Sequence, residues 1–127
     1  MNQSYVKKVL IVDDESTIRM LVKSMLVNGY TVLEAENGEE AVHIARSQRP
    51  DLILMDIMMP EMDGYTACSV IKTDQQTKVI PVVFLTAVGY QLNKELAKQV
   101  GADGYITKPF TTTGLLDTIG KLLQQPE

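Results

Sequence analysis

The stretch "DLILMDIMMP", Asp51 to Pro60, decides the fold. Leu52-Ile53-Leu54-Met55 is an apolar run of strand length, fit for the inside of a core. It runs straight into Asp56, and an unpaired carboxylate at the edge of a core is costly. Either compensating charge holds Asp56 at that edge, or Asp56 is the first residue of a solvated loop.

Four further runs of strand length accompany it: Val9–Val12 (VLIV), Thr31–Ala35 (TVLEA), Val82–Leu85 (VVFL) and Tyr105–Thr107 (YIT). Between them, apolar residues recur at three- and four-residue steps, the period of a helix. Ile18, Leu21, Val22, Met25 and Leu26 form the first set, and Ala41, Val42 and Ala45 the second. Ala67, Cys68 and Ile71 follow, then Leu92, Leu96 and Val100, and finally Leu115, Leu116, Ile119, Leu122 and Leu123. Ser16, Asn37 and Thr111 are the residue types that cap helix N-termini. Gly29 and Gly101 fall where helix C-termini favour a left-handed residue. Five strands alternating with five helices predict an α/β fold: a five-stranded parallel sheet, doubly wound, with helices on both faces.

A chain of 127 residues can bury a core of its own, and 45% hydrophobic with 22% charged residues is a globular composition. No apolar run approaches the ~20 residues of a membrane span, and "MNQSYVKK" (Met1–Lys8) lacks the apolar stretch of a signal peptide. A single cysteine, Cys68, excludes an internal disulfide and fits a reducing compartment, so a cytoplasmic location is expected. With a net charge of −4 and no basic cluster beyond Lys7-Lys8, the chain offers no footprint for direct nucleic-acid binding. "QQPE" (Gln124–Glu127) reads as a frayed end or a linker stump.

Asp56 is not alone at a strand end. VLIV ends in Asp13-Asp14, VVFL in Thr86 and YIT in Lys108. In an open parallel sheet all carboxyl ends share one edge, where ligands bind. Three carboxylates, a hydroxyl and an ammonium therefore converge there. Like charges so close call for a divalent cation, and oxygen-only ligands favour Mg²⁺, which typically takes one or two carboxylates plus a phosphate. A phosphate between metal and Lys108 would complete the charge balance. Asp13, Asp14 and Glu15 could otherwise serve only the dipole of the following helix, but that leaves Asp56 and Lys108 unexplained.

With these residues in view, the chain resembles a response-regulator receiver domain of two-component signalling. The resemblance runs from about Val6 to Leu123, as one domain over residues 1–127. It is carried by Asp13-Asp14, by Asp56 with "IMMPEMDGY" (Ile57–Tyr65), by "LTA" (Leu85–Ala87) and by "GADGYITKPF" (Gly101–Phe110). The flavodoxin-like strand order 2-1-3-4-5 comes from this resemblance. So does a phosphoacceptor role for Asp56, which would take a phosphoryl group from a phosphohistidine of a sensor histidine kinase or a histidine phosphotransfer protein. Asp14 and Asp56 would hold Mg²⁺, or Mn²⁺ in its stead, with Asp13 acting through water and the Met58 carbonyl as a further ligand. Thr86, the Ala87 N–H and Lys108 would contact the phosphoryl oxygens, and Thr86 with Tyr105 would form the switch. The resemblance also implies a cis Lys108–Pro109 peptide.

The output surface implied is the fourth helix, fifth strand and fifth helix, acting on a downstream protein. Gly104 and Thr111–Leu116 lack the charges of the dimerising transcription-factor branch, so a monomer is expected. Met20, on the polar side of the first helix, falls where receivers meet their kinase. Met58 and Val88 flank the phosphoryl position with apolar side chains, which predicts slow hydrolysis. His43 reads as a surface residue and Cys68 as a small core residue. A Mg²⁺-dependent aspartyl-phosphate phosphohydrolase is the rival reading, but short connections leave little chain to enclose a substrate. The chain reads as a stand-alone regulator, or as a module cut from a larger regulator or hybrid kinase.

Overall fold

The computed structural model describes residues 6–87 and 90–123, so Val88 and the end over residues 124–127 lie outside the described residues. Strands and helices alternate as β1 (Lys8–Val12), α1 (Ser16–Leu26), β2 (Thr31–Ala35), α2 (Gly38–Gln48) and β3 (Leu52–Asp56). The second half continues with α3 (Gly64–Thr73), β4 (Val82–Thr86), α4 (Lys94–Gln99), β5 (Gly104–Thr107) and α5 (Thr112–Leu123). All strands pair in parallel in the order β2-β1-β3-β4-β5. This is the doubly wound fold expected.

The three inner strands are buried on both faces, and this is why their sequences are continuous apolar runs. Alternate residues part to opposite sides. Leu10, Val12, Ile53, Met55, Val82 and Phe84 pack with Ala41 and Ala45 of α2, Ala67, Cys68 and Ile71 of α3, and Ala97 of α4. Val9, Ile11, Leu52, Leu54, Val83 and Leu85 pack with Val22 and Leu26 of α1 and with Leu115 and Ile119 of α5. Two cores therefore sandwich the sheet, each fully buried aliphatic side chain contributing about 1.5–3 kcal/mol.

Asn37 caps α2 through the Glu40 N–H, and Thr111 receives the Gly114 N–H at the start of α5. Ser16 does not cap α1. It is the first helical residue after Glu15, and Asp13 Oδ1 takes the Glu15 N–H instead. Gly29 is not left-handed, because α1 has ended at Leu26 and leaves through the right-handed Val27. Gly101 does adopt φ +85°, and α2 ends on a left-handed Arg49 (φ 47°) ahead of Pro50. Leu92 falls outside α4, whose start is fixed by the Asn93 side chain accepting the Leu96 N–H.

Candidate functional site

β3 extends through Asp56 and β4 through Thr86, so neither residue opens a loop. Asp56 sits at the end of a strand buried along its whole length and is itself only 7% exposed. The loop beyond returns so closely that Gly64 is the one residue type that fits. A Cβ there would lie 2.5 Å from the Asp56 carbonyl oxygen and 2.8 Å from Ile57 Cα. The Gly64 N–H donates to the Ile57 carbonyl at 2.8 Å, and Asp63 caps α3 by accepting the Thr66 N–H. The chain that carries Asp56 is thus locked to the start of α3.

At the neighbouring strand end, Asp13 is wholly buried and Asp14 exposed. One carboxylate oxygen from each of Asp13, Asp14 and Asp56 lies within 4.8 Å of the others. Lys108 reaches the same point from beyond β5, its Nζ 3.3 Å from Asp13 Oδ2 and 3.7 Å from Asp56 Oδ1. The Lys108 N–H donates to the Thr86 carbonyl at 2.7 Å, and the Lys108–Pro109 peptide is cis, as the resemblance implied. Opposite charge therefore does hold Asp56 at the edge of the core.

The charge balance stays negative. Burial, followed by the Asp13 carboxylate, pushes the Asp56 carboxyl up, Lys108 pulls it down, Asp14 pushes it up, and the Met58 N–H pulls it down, leaving it at about 6. A dense set of hard oxygen donors with one ammonium among three carboxylates fits a small divalent cation. The donors would suit Mg²⁺ or Mn²⁺ and offer nothing to a soft metal.

The other anticipated residues gather less tightly. Thr86 is buried, with its hydroxyl 3.4 Å from that of Thr107. Ala87 follows it at the surface. Tyr105 is 48% exposed and borders an open depression of about 750 Å³ shared with Thr86, Tyr90 and Thr107. The Met58 side chain is 61% exposed. His43 is exposed, and Cys68 is buried with its thiol pushed up to about 12 by burial.

Two residues of consequence escaped the sequence reading. Arg19 donates from Nη1 to the Asp13 carbonyl at 2.7 Å and from Nε to Glu34 at 3.0 Å. Tyr65 is buried edge-on to Phe84, and its hydroxyl accepts the Asn93 N–H and meets the Tyr90 hydroxyl at 2.9 Å. A tyrosine on an apolar helix face was the available signal, since a buried hydroxyl needs a partner. Arg19 gave none beyond its place one turn into α1.

Residues 9–120 match the response regulator receiver domain family. The chain belongs to that family. Protein PilH of Pseudomonas aeruginosa is 40% identical over 117 residues, covering 91% of this chain and 97% of that protein. The probable transcriptional regulator ycf27 of Porphyra purpurea is 37% identical over 122 residues, covering 95% of this chain and 49% of its own length. The chain thus spans about half the length of the first curated relatives it matches. Among solved structures, the receiver domain of sensor histidine kinase PA1611 from Pseudomonas aeruginosa superposes with a TM-score of 0.87 at 31% identity, covering 95% of this chain and all of that one. That structure is described as holding magnesium in its active-site cleft. The receiver domain is homologous to two-component response regulators, and its acidic cluster fits the phosphoacceptor site of the family.

Proposed function

We propose that Asp56 is the phosphoacceptor, taking a phosphoryl group from a phosphohistidine of a sensor histidine kinase or a histidine phosphotransfer protein. One observation carries this reading: three carboxylates from two strand ends within 4.8 Å, with Lys108 against two of them. An Asp56 carboxylate oxygen would attack phosphorus and form an O–P bond as the P–N bond to the histidine breaks. The imidazole nitrogen leaves with the bond's electron pair and takes up a proton. With its carboxyl at about 6, Asp56 is mostly ionised at neutral pH and able to act as the nucleophile.

Phosphoryl transfer asks the protein mainly for alignment and for neutralisation of spread charge. A bound divalent ion, Mg²⁺ or Mn²⁺, supplies most of the neutralisation, and Asp14, Asp56 and the Met58 carbonyl would hold it, with Asp13 acting through water. Lys108 would exchange its carboxylate partners for a phosphoryl oxygen. The Thr86 hydroxyl would turn from Thr107 to donate to a second oxygen, and the Ala87 N–H would serve a third. Movement of Thr86 leaves room beside Tyr105, which already borders the depression behind it. Tyr105 would turn inward and alter the face formed by α4, β5 and α5, the surface for a downstream protein.

A groove beside the site supports the same partner. Ile18 and Leu21 of α1 and Pro109 and Phe110 line an apolar cleft of about 330 Å³ with Lys108, and Met20, elsewhere on α1, is exposed. Helices of the phosphodonor would seat there while a histidine reaches Asp56.

The test is incubation with acetyl phosphate and Mg²⁺ followed by intact mass. The wild type should gain one phosphoryl group, and Asp56→Asn or excess EDTA should abolish the gain. Labelling of Asp56→Asn at the usual level overturns the assignment. Continuous release of phosphate from small phosphate esters would favour the phosphohydrolase instead.

A further inference from the structure

Every polar atom of Asp13 is engaged. Its N–H donates to the Ala35 carbonyl at 3.1 Å, Oδ1 accepts the Glu15 N–H at 2.9 Å, and Oδ2 faces Lys108 at 3.3 Å. The remaining atom, the carbonyl oxygen, belongs to the peptide group joining Asp13 to Asp14. Because a peptide group is planar, fixing that oxygen fixes the direction in which the chain enters Asp14. Arg19 fixes it, Nη1 donating to the Asp13 carbonyl at 2.7 Å.

Arg19 is itself held. Its Nε donates to Glu34 Oε1 at 3.0 Å, the side chain is only 16% exposed, and Lys23 lies 3.7 Å from the other oxygen of Glu34. The guanidinium therefore bridges β2 to the Asp13–Asp14 peptide with a rigid two-headed fork. No side-chain hydrogen bond of Asp14 is present among the described residues, so its backbone is what sets the point from which the carboxylate reaches toward Asp13 and Asp56.

We infer that Arg19 is a positioning residue for the divalent-ion site: it sets the Asp13–Asp14 peptide and thereby aims the Asp14 carboxylate. This rests on the reading of Asp14 as a metal ligand. It makes a prediction of unusual sign. Considered only as a charge, a guanidinium hydrogen-bonded beside the acidic pair repels a dication, so removing it should tighten Mg²⁺ binding. Considered as the clamp on the peptide, its removal should weaken binding, as losing a support behind metal ligands commonly costs about ten-fold in affinity.

The experiment is a titration of the unphosphorylated protein with Mg²⁺ alone, followed by amide chemical shifts at fixed ionic strength, with urea unfolding as a check that each variant is folded. Arg19→Ala should bind Mg²⁺ about ten-fold more weakly despite the lost positive charge. Arg19→Lys, which keeps the charge but not the fork, should also bind more weakly than wild type. Because Arg19→Lys leaves the local charge unchanged, it carries the test if Arg19→Ala does not fold. Equal or tighter binding by the folded variants overturns the inference while leaving Asp14 as a ligand, provided Asp14→Ala loses Mg²⁺. If wild type fails to bind Mg²⁺, or Asp14→Ala binds it unchanged, the reading of the site falls and the role of Arg19 with it.

Discussion

Without a divalent ion, Asp56 should destabilise the domain it serves, and the effect should depend on pH. Its carboxyl stands at about 6 in the folded chain against an ordinary 3.8, chiefly because it is buried and faces Asp13. Below about pH 3.8 both folded and unfolded chains hold the proton, and Asp56 costs nothing. As pH rises toward 6 the unfolded chain ionises first, so stability falls by about 1.4 kcal/mol per pH unit and levels off above 6. The total is at most about 3 kcal/mol, and partial solvation at the sheet edge will lower it. Asparagine resembles the protonated acid in shape and cannot ionise. In EDTA, Asp56→Asn should therefore match wild type near pH 4 and exceed it by about 2 kcal/mol at pH 7. Urea unfolding of both proteins at pH 4, 5, 6 and 7, at constant ionic strength, measures the difference directly. Saturating Mg²⁺ should close the gap by binding the folded wild type. A difference independent of pH, or a wild type more stable at pH 7 in EDTA, would refute the reasoning.

Gly64→Ala should lower stability by about 2 kcal/mol or more and slow acetyl-phosphate labelling, because its Cβ meets the Asp56 carbonyl at 2.5 Å; normal labelling and stability would contradict this close approach. Tyr65→Phe keeps the ring on Phe84 but strips the Asn93 N–H and Tyr90 hydroxyl of a partner, so stability should drop by about 1–2 kcal/mol and hydrogen exchange at Asn93 should quicken. Cys68, buried and with its thiol pushed up to about 12, should resist iodoacetamide at pH 8 until urea unfolds the chain. Met58→Asn should speed loss of the Asp56 phosphoryl group in Mg²⁺, since an amide can orient an attacking water and a thioether cannot; unchanged decay of the isolated phosphoprotein would remove Met58 from that role.

Much of this was legible in the chain because the physics is local. Buried parallel strands must be continuously apolar, so Leu52–Met55 and Val82–Leu85 announce themselves, and a polar residue ending each run marks the shared edge. Asn37 and Thr111 likewise betray helix starts, because capping is a short-range bond. Ser16 misled because a nearer acceptor, Asp13, had already claimed the turn. Gly29 misled because a glycine permits a left-handed turn without requiring one, whereas Arg49 adopts one where Pro50 stops α2. Arg19 was invisible for a different reason. Its meaning lies in a bond to a backbone carbonyl and in Glu34, a residue of another strand, and no spacing rule connects the three.

The ion pair between Asp13 and Lys108 joins residues 95 positions apart, and this bears on how the domain assembles. If β1 and β3 pair before β5 docks, Asp13, Asp14 and Asp56 share an edge while Lys108, the one ammonium paired with them among the described residues, is not yet in place. Mutual repulsion at that edge opposes the pairing of β1 with β3 for as long as Lys108 is absent from it. Dissolved salt screens such repulsion, and a divalent ion would bridge it outright. Refolding should accordingly accelerate with Mg²⁺ in the wild type and far less in Asp56→Asn. The ion expected in the chemistry would then serve earlier, standing in for Lys108 while the sheet is still incomplete.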